Sequence, residues 1–461
     1  MFDSHAHLDR HSFGDDLDAV ITRAFEAGVT GIVSLGCGAD PAAMEEAVEL
    51  AHGHDAIRAA VGVHPHEADA VTRASYGALE RLLADPVVVA LGEVGLDYHY
   101  DLSSREGQRK VFDLQIGLAA EMGKPLVIHC REAHEDCLRM LRAAPLSPRP
   151  GVIHCFTEGP AMARCYMDIG FLVSVPGLVT FRNPGELLDT VREIPIEHLL
   201  VETDSPWLAP VPHRGRRNEP AFIKHTIETV AQLKGLSFDD VSRITEKNAR
   251  RLFGIPGLDD QANRIIYPIR DSLYVNLTNR CTLRCTFCHK FQDFVVKGHD
   301  LRLAREPSVE DVQAAIEARD PSQYREVVFC GYGEPLLRLD AVIALADWIK
   351  ARGIRVRVNT DGLASLVHDR DVPKELAGRV DAVSVSLNAP DRETYARICP
   401  SRYGENGHDA VIAFIKRAAQ MIPDVTATVV ALPGLDLDAC RRLVEQELGV
   451  ALRIRPLDDL G

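Results

Sequence analysis

At 461 residues, with 46% hydrophobic and 26% charged, the chain is too long for one ordinary core and suits two domains of barrel size. A formal net charge of −15 argues against a surface that coats nucleic acid nonspecifically, because an acidic protein repels polyphosphate unless local cations or bound metals reverse the field. No apolar run reaches the roughly 18 to 20 residues of a membrane span and no basic, apolar leader opens the chain, so the expectation is a cytoplasmic protein whose cysteines are reduced thiols and ligands.

The first 255 residues alternate short apolar runs with amphipathic stretches. Strands are predicted over Phe2 to His5, Gly31 to Leu35, Ile57 to Val63, Val87 to Glu93, Leu126 to His129, Val152 to His154, Phe171 to Val175 and Leu199 to Glu202. Helical patterns lie between them, such as Ser103 to Met122, where Phe112, Gln115, Ile116 and Ala119 recur at helical spacing. Eight alternations predict an α/β fold of the (β/α)8 TIM type. In such a barrel the polar residues at strand C-termini converge on one face, which gathers His5, His7, Glu93, His129, His154 and Asp204. His5 and His7 project from one side of an extended segment. Mixed imidazole and carboxylate donors suit one or two ions such as zinc, manganese or magnesium, with Glu93 placed to bridge. Two ions can activate water for an in-line displacement at phosphorus, and Asp204 can hold a metal and take the proton. The plainer reading of any single one of these histidines is a buried, hydrogen-bonded core residue. Arg131 stands two residues past the proposed ligand His129, and the basic loop His213 to Arg217, with Arg214 and Arg216, follows the last strand. These cations can grip substrate phosphates, the alternative for Arg216 and Arg217 being a solvated pair. Cys130 and Cys155 each follow a ligand, so alternation turns them away into packing.

The segments DSHAHLD, GVHPHE, GEVGLDY, KPLVIHCRE, GVIHCF, ETDSPWLAP and PHRGRRNEP resemble the TatD family of metal-dependent deoxyribonucleases, within the amidohydrolase superfamily, over residues 1 to 254. The resemblance implies His5 and His7 on one divalent ion, His129 and His154 on a second, Glu93 shared, and Asp204 as ligand and general base. It implies hydrolysis of phosphodiesters at a DNA or RNA end, often from the 3′ side. It also suggests His64 as a phosphate contact, or as a support for the ligands.

The breaker cluster Gly254 to Asp260 places a short linker over 255–264, with a second domain over 265–461. Leu273 to Thr278 reads as a strand, and the loop after it carries Cys281, Cys285 and Cys288. Three thiolates at that Cx3Cx2C spacing can hold three irons of a [4Fe-4S] cluster and leave the fourth iron open to a chelating ligand. A structural zinc site is the competing reading, but it needs a fourth donor and His289 is poorly placed to supply it. Strands follow at Val327 to Phe329, Val356 to Gly362, Ala382 to Asn388, Val425 to Ala431 and Ala451 to Ile454. Six strands separated by helical patterns predict a C-terminal open (β/α)6 partial barrel. Cys399 and Cys440 stand alone, which argues against a second cluster.

The CTLRCTFC, GYGEP, VNTDG and VSLN segments resemble the radical S-adenosylmethionine superfamily over residues 265 to 461. The resemblance implies Cys281, Cys285 and Cys288 on the cluster, with Phe287 packed nearby. It sets the Gly331, Gly333 and Glu334 edge on the methionyl amine, and Asn359 and Ser386 as further contacts to S-adenosyl-L-methionine. The implied chemistry is reductive cleavage to a 5′-deoxyadenosyl radical, fed by an electron donor such as flavodoxin or ferredoxin. The expectation for the whole is a bifunctional enzyme, a nuclease-like hydrolase joined to a radical enzyme. Two alternatives stay open: a metal-dependent ester or amide hydrolase, for example an aminoacyl-tRNA deacylase, or one half acting only as a binding scaffold.

Overall fold

The structure, a computed structural model, describes residues 1–256, 264–291 and 294–457. Two units divide the chain, Met1–Leu258 and Asp259–Gly461. Most of the linker expected over 255–264 lies outside the described residues.

In the first unit eight strands lie parallel in chain order: β1 (Phe2–Ala6), β2 (Gly31–Cys37), β3 (Ile57–Gly62), β4 (Val88–Asp97), β5 (Leu126–Arg131), β6 (Gly151–Ile153), β7 (Leu172–Val175) and β8 (Leu199–Val201). The seam closes through a bridge between Ala6 and Ser205, with His7 N donating to Ser205 O (2.8 Å) and Asp204 N to His5 O (2.9 Å). Phe2, Val33, Ala60, Ala90, Val127, Val152 and Leu200 share one buried cluster with Leu252 and Phe253. Those last two end the helix Phe238–Phe253, whose N-terminus is capped by Ser237 accepting from Asp240 N. Residues from seven strands meeting in one cluster define a filled barrel, as short β-branched runs with helical crossovers require. The helix expected from Ser103 runs Arg105–Met122 with Ser104 as its cap, and its Gln115 turns inward to bond the Val63 backbone in both directions.

The second unit holds a sheet ordered β17-β16-β15-β14-β13-β10-β9. Its strands are β9 (Ile266–Ile269), β10 (Ser272–Val275), β13 (Glu326–Phe329), β14 (Arg355–Thr360), β15 (Ala382–Ser386), β16 (Asp424–Ala431) and β17 (Ala451–Pro456), while β11 (Val295–Val296) and β12 (His299–Asp300) pair separately. The six expected strands run parallel, and β9 adds an antiparallel edge. That edge escapes a sequence reading because Pro268 interrupts its apolar run and the tight turn places Arg270, not glycine, at a φ of 54°. Leu273, Val275, Val327, Phe329, Val356, Val358, Val383, Val385 and Ala427 face a helical layer that includes Val342, Leu345, Val411 and Phe414. The residues alternating with them therefore occupy the opposite face of the sheet. No helix among the described residues is long and apolar enough to cross a membrane.

Candidate functional site

The six expected donors of the first unit meet at the C-terminal end of the barrel, and all are buried or nearly so. Glu93 is the centre. Its Oε2 lies 3.4 Å from His7 Nε2 and 3.6 Å from His5 Nε2. Its Oε1 lies 2.9 Å from His129 Nδ1 and 2.8 Å from His154 Nε2. One carboxylate oxygen thus faces each histidine pair. Asp204 Oδ1 stands 3.6 Å from His5 Nε2 and 3.7 Å from His7 Nε2.

Glu93 does not end its strand, as expected from sequence, but sits inside β4, which runs on to Asp97. Gly92 pairs with Val127 and Val94 with Ile128, leaving Glu93 as the extra residue of a bulge. A bulge turns a side chain that regular alternation would send elsewhere. Gly95 makes this possible, since at a φ of 140° a Cβ there would lie 1.9 Å from His129 O.

Several supports lie outside the expected donor set. Asp97 accepts from His129 Nε2 (3.0 Å) and His66 Nε2 (2.9 Å), fixing the far side of the His129 ring. Glu202 lies 3.5 Å from His154 Nδ1 and accepts from Cys155 N. Asp3 accepts from Thr203 N and Oγ1 (3.0 and 2.6 Å), tying β1 to the segment that carries Asp204. The signal available for Asp97 and Glu202 was a second carboxylate near each ligand motif, in GEVGLD and VETD.

Burial alone would raise the Glu93 carboxyl, but the His154 and His64 charges and the hydrogen bonds from His129 and His154 hold it well below the usual carboxylate range. Burial pulls the His129 imidazolium down, yet Asp97 and Glu93 outweigh it and raise its pKa. Asp204 is pushed up to about 7 by burial, with Glu202 and Glu93 adding repulsion against the pull of His154 and His7. Buried carboxylates facing imidazoles in two groups, with His5 Nδ1, His154 Nδ1 and Glu202 Oε2 lacking hydrogen-bond partners, form a donor set that fits divalent cations.

His64 Nε2 is 3.4 Å from Glu93 Oε1, within the same cluster. Arg131 lies over the exposed Tyr100 ring and Arg214 over Phe181, while Arg217, one residue past Arg216, pairs with Asp16. Trp207, 53% exposed, sets its ring edge-on to His7 at 4.8 Å. Cys130 turns from the donors and meets Tyr166 OH at 3.6 Å.

In the second unit the cysteine loop is held by backbone bonds to one segment, Arg284 N to Pro400 O and Thr286 N to Ile398 O, both 2.9 Å. That pairing brings Cys399 Sγ to 3.5 Å from Cys285 Sγ, so Cys399 does not stand apart as its position in the sequence suggested. The Gly331 to Glu334 turn packs under the loop. Glu334 is buried and accepts from Leu336 N (2.9 Å), Thr360 Oγ1 (2.9 Å) and Asp361 N (2.6 Å), and Asp361 receives the hydroxyl of Thr282. Asn359 and Ser386 lie on the face of the sheet away from the helices. Cys281, Cys285 and Cys288 stand on one loop, and a cavity of about 650 Å³ lined by Thr286, Phe287, Ile398, Leu432, Gly434 and Leu457 opens beside that loop. Three thiol donors at this spacing fit the ligand chemistry of a [4Fe-4S] cluster, with room nearby for a cosubstrate.

An α/β barrel with imidazoles and carboxylates gathered at its strand C-termini defines the first unit as a metal-dependent hydrolase. The chain belongs to the TatD related DNase family, whose profile matches residues 2–254, and here that domain is fused to a radical SAM superfamily domain matched over residues 275–446. It is 42% identical to the metal-dependent hydrolase YabD of Bacillus subtilis, over 55% of this chain and 99% of that one. It is 38% identical to the 3′-5′ ssDNA/RNA exonuclease TatD of Erwinia amylovora, over 55% and 100% respectively. The crystal structure of the TatD homologue YjjV from Escherichia coli K12 superposes with a TM-score of 0.53 at 28% identity, covering 56% of this chain and 98% of that one. Divalent metals follow from the hydrolase family, and a [4Fe-4S] cluster with S-adenosylmethionine from the radical family.

Proposed function

We propose that the first unit is a phosphodiester hydrolase acting on single-stranded nucleic-acid ends, and that the second generates a 5′-deoxyadenosyl radical on a separate substrate. The observation that carries the first assignment is Glu93, with one oxygen toward His5 and His7 and the other toward His129 and His154. Divalent cations held by those residues and Asp204 supply Lewis acidity at phosphorus and lower the pKa of water. The chain's own groups do the rest. Asp204, facing the His5 and His7 pair, is the carboxylate placed to take the proton of the attacking water. His64, beside Glu93 in the cluster, and Arg131 bind phosphate oxygens, joined by Arg214 and Arg216 of the loop after β8. Trp207 and Tyr100, each 53% exposed, offer ring faces on which bases stack. The sequence likeness to a named 3′-5′ exonuclease supports this substrate class.

In the second unit Cys281, Cys285 and Cys288 would hold the cluster, with the Gly331 to Glu334 turn and Asn359 and Ser386 beside the cosubstrate. A reducing protein such as flavodoxin or ferredoxin supplies the electron.

The test is hydrolysis of 3′-labelled single-stranded DNA with Mg²⁺ or Mn²⁺, comparing the native protein with Asp204→Asn. Native activity that falls at least a hundredfold in the variant supports the assignment. A metal-loaded native protein that leaves DNA intact but releases the amino acid from a charged tRNA would move the reaction to carbonyl carbon.

A further inference from the structure

The sheet face that turns away from the helices in the second unit carries positive charge that no ion pair among the described residues matches. Arg355 and Arg357 on β14 are matched, Arg355 by Asp424 (2.8 Å) and Arg357 by Glu326 (2.9 Å). Arg453 and Arg455 on β17 pair in register with Thr428 and Val430 of β16. Leu452, directly before Arg453, packs on the helical side, so by alternation along the strand both arginines point to the other face. Neither makes an ion pair among the described residues, and Arg455 Nε is buried without a hydrogen-bond partner. A buried guanidinium donor left unmade is unfavourable unless something else fills it.

The position of Arg455 is as telling as its charge. In sheet order β17 stands four strands from β13, which on a flat sheet is roughly 19 Å at about 4.8 Å per strand. Yet the charges of Arg455 and Arg357 both act on the thiol of Cys330, the residue that follows β13. The second unit is a partial barrel, so its sheet curls away from the helical layer and its concave side turns the far edge toward the strand that leads into the Gly331 to Glu334 turn. The cavity beside the cysteine loop includes Leu457, two residues past Arg455, so the unmatched arginine lies at the loop's end of the sheet.

We propose that this concave face binds the radical enzyme's substrate through an anionic group, a phosphate or a carboxylate, held by Arg455 and Arg453. Arg357, already fixed by Glu326 and bonded to Asn359 Oδ1 (3.2 Å), lines the floor. A planar guanidinium pair recognises either oxyanion bidentately, and in a chain of net charge −15 a local cationic face concentrates anions that the rest of the surface repels. The inference rests on the radical reading of this unit only for the fate of the ligand, since binding can be measured without turnover.

The experiment uses the full chain, reconstituted anaerobically with iron and sulfide, and titrates AMP, inorganic phosphate and glutarate by calorimetry. AMP and phosphate report a phosphate group, glutarate a carboxylate. Arg453→Gln and Arg455→Gln are made singly and together. Arg441→Gln, on a helix and paired with Glu445, removes the same charge elsewhere. Any contribution from the first unit persists in every variant and cancels. Binding of at least one probe is expected to weaken about tenfold or more in the double variant and to remain unchanged in Arg441→Gln. Because Arg453 is exposed, its single variant reads even if Arg455→Gln folds poorly. Unchanged binding in both single variants, or no arginine-dependent binding of any probe by the native protein, overturns the proposal. Release of 5′-deoxyadenosine from S-adenosylmethionine is measured alongside. Its absence in the native protein removes the radical reading while leaving the anion site to stand or fall on the titrations.

Discussion

Asp97 shows how much of a metal site depends on residues that touch no metal. Its carboxylate accepts from His129 and His66 and also from the backbone of His99 (3.0 Å) and Tyr100 (2.8 Å), so one buried side chain orients a ligand and shapes the following loop. Asp97→Asn is expected to lower divalent-metal affinity at the His129 and His154 side by about 10- to 100-fold, measured by metal titration of a folded variant. At the rim, Trp207→Ala should weaken binding of single-stranded DNA by about 1–3 kcal/mol with little change in metal content, read by fluorescence anisotropy. The donors themselves are legible because a histidine or carboxylate at the end of an apolar run has few structural reasons to be there. Asp97, Glu202 and Asp3 are less so, because a second carboxylate near a ligand motif marks the neighbourhood but not which side chain it orients. Only the folded neighbourhood reveals that Thr203 reaches back two hundred residues to Asp3.

Among the elements, β4 and the turn after β13 do the positioning, and both rely on a glycine where two backbones touch. A Cβ at Gly333 would lie 2.1 Å from Thr278 O and 2.6 Å from Arg280 O, the carbonyls that lead into the cysteine loop. Gly333→Ala is therefore expected to displace that loop and cut iron retention severalfold after reconstitution, while hydrolysis by the first unit stays intact. Iron analysis and the labelled-DNA assay on one preparation check both halves of the statement. Element existence was readable here and element boundaries less so. The periodicity of Val88 to Glu93 was plain, but the bulge at Glu93 and the extension to Asp97 depend on pairing with β5. β9 was hidden by Pro268, whose missing N–H is tolerable only because the strand lies at the sheet's edge.

For the molecule as a whole, two separate donor sets make two separate chemical sensitivities. Cys281→Ser is expected to abolish iron binding and 5′-deoxyadenosine release without changing DNA hydrolysis. Saturation with Mn²⁺ should raise the melting transition of the first unit alone, by about 2.7 kcal/mol of stability at a hundredfold excess over Kd, observed as one shifted peak of two in calorimetry. The two-unit division follows from length and from the change in chemistry along the chain, imidazoles and carboxylates first and clustered thiols later. The surplus of Arg453 and Arg455 could not be read that way, because a pair of arginines on a strand gains its meaning from carboxylates that lie elsewhere in the sheet.

The barrel seam has a consequence in time. His5 and His7 emerge from the ribosome about two hundred residues before Asp204, yet they meet across the bridge between Ala6 and Ser205. At about 5–20 residues per second, β1 waits roughly 10–40 s on the ribosome with one edge unpaired before its last neighbour arrives. The hydrolytic site is thus assembled by the same event that finishes the barrel, and a nascent chain halted before residue 204 has neither.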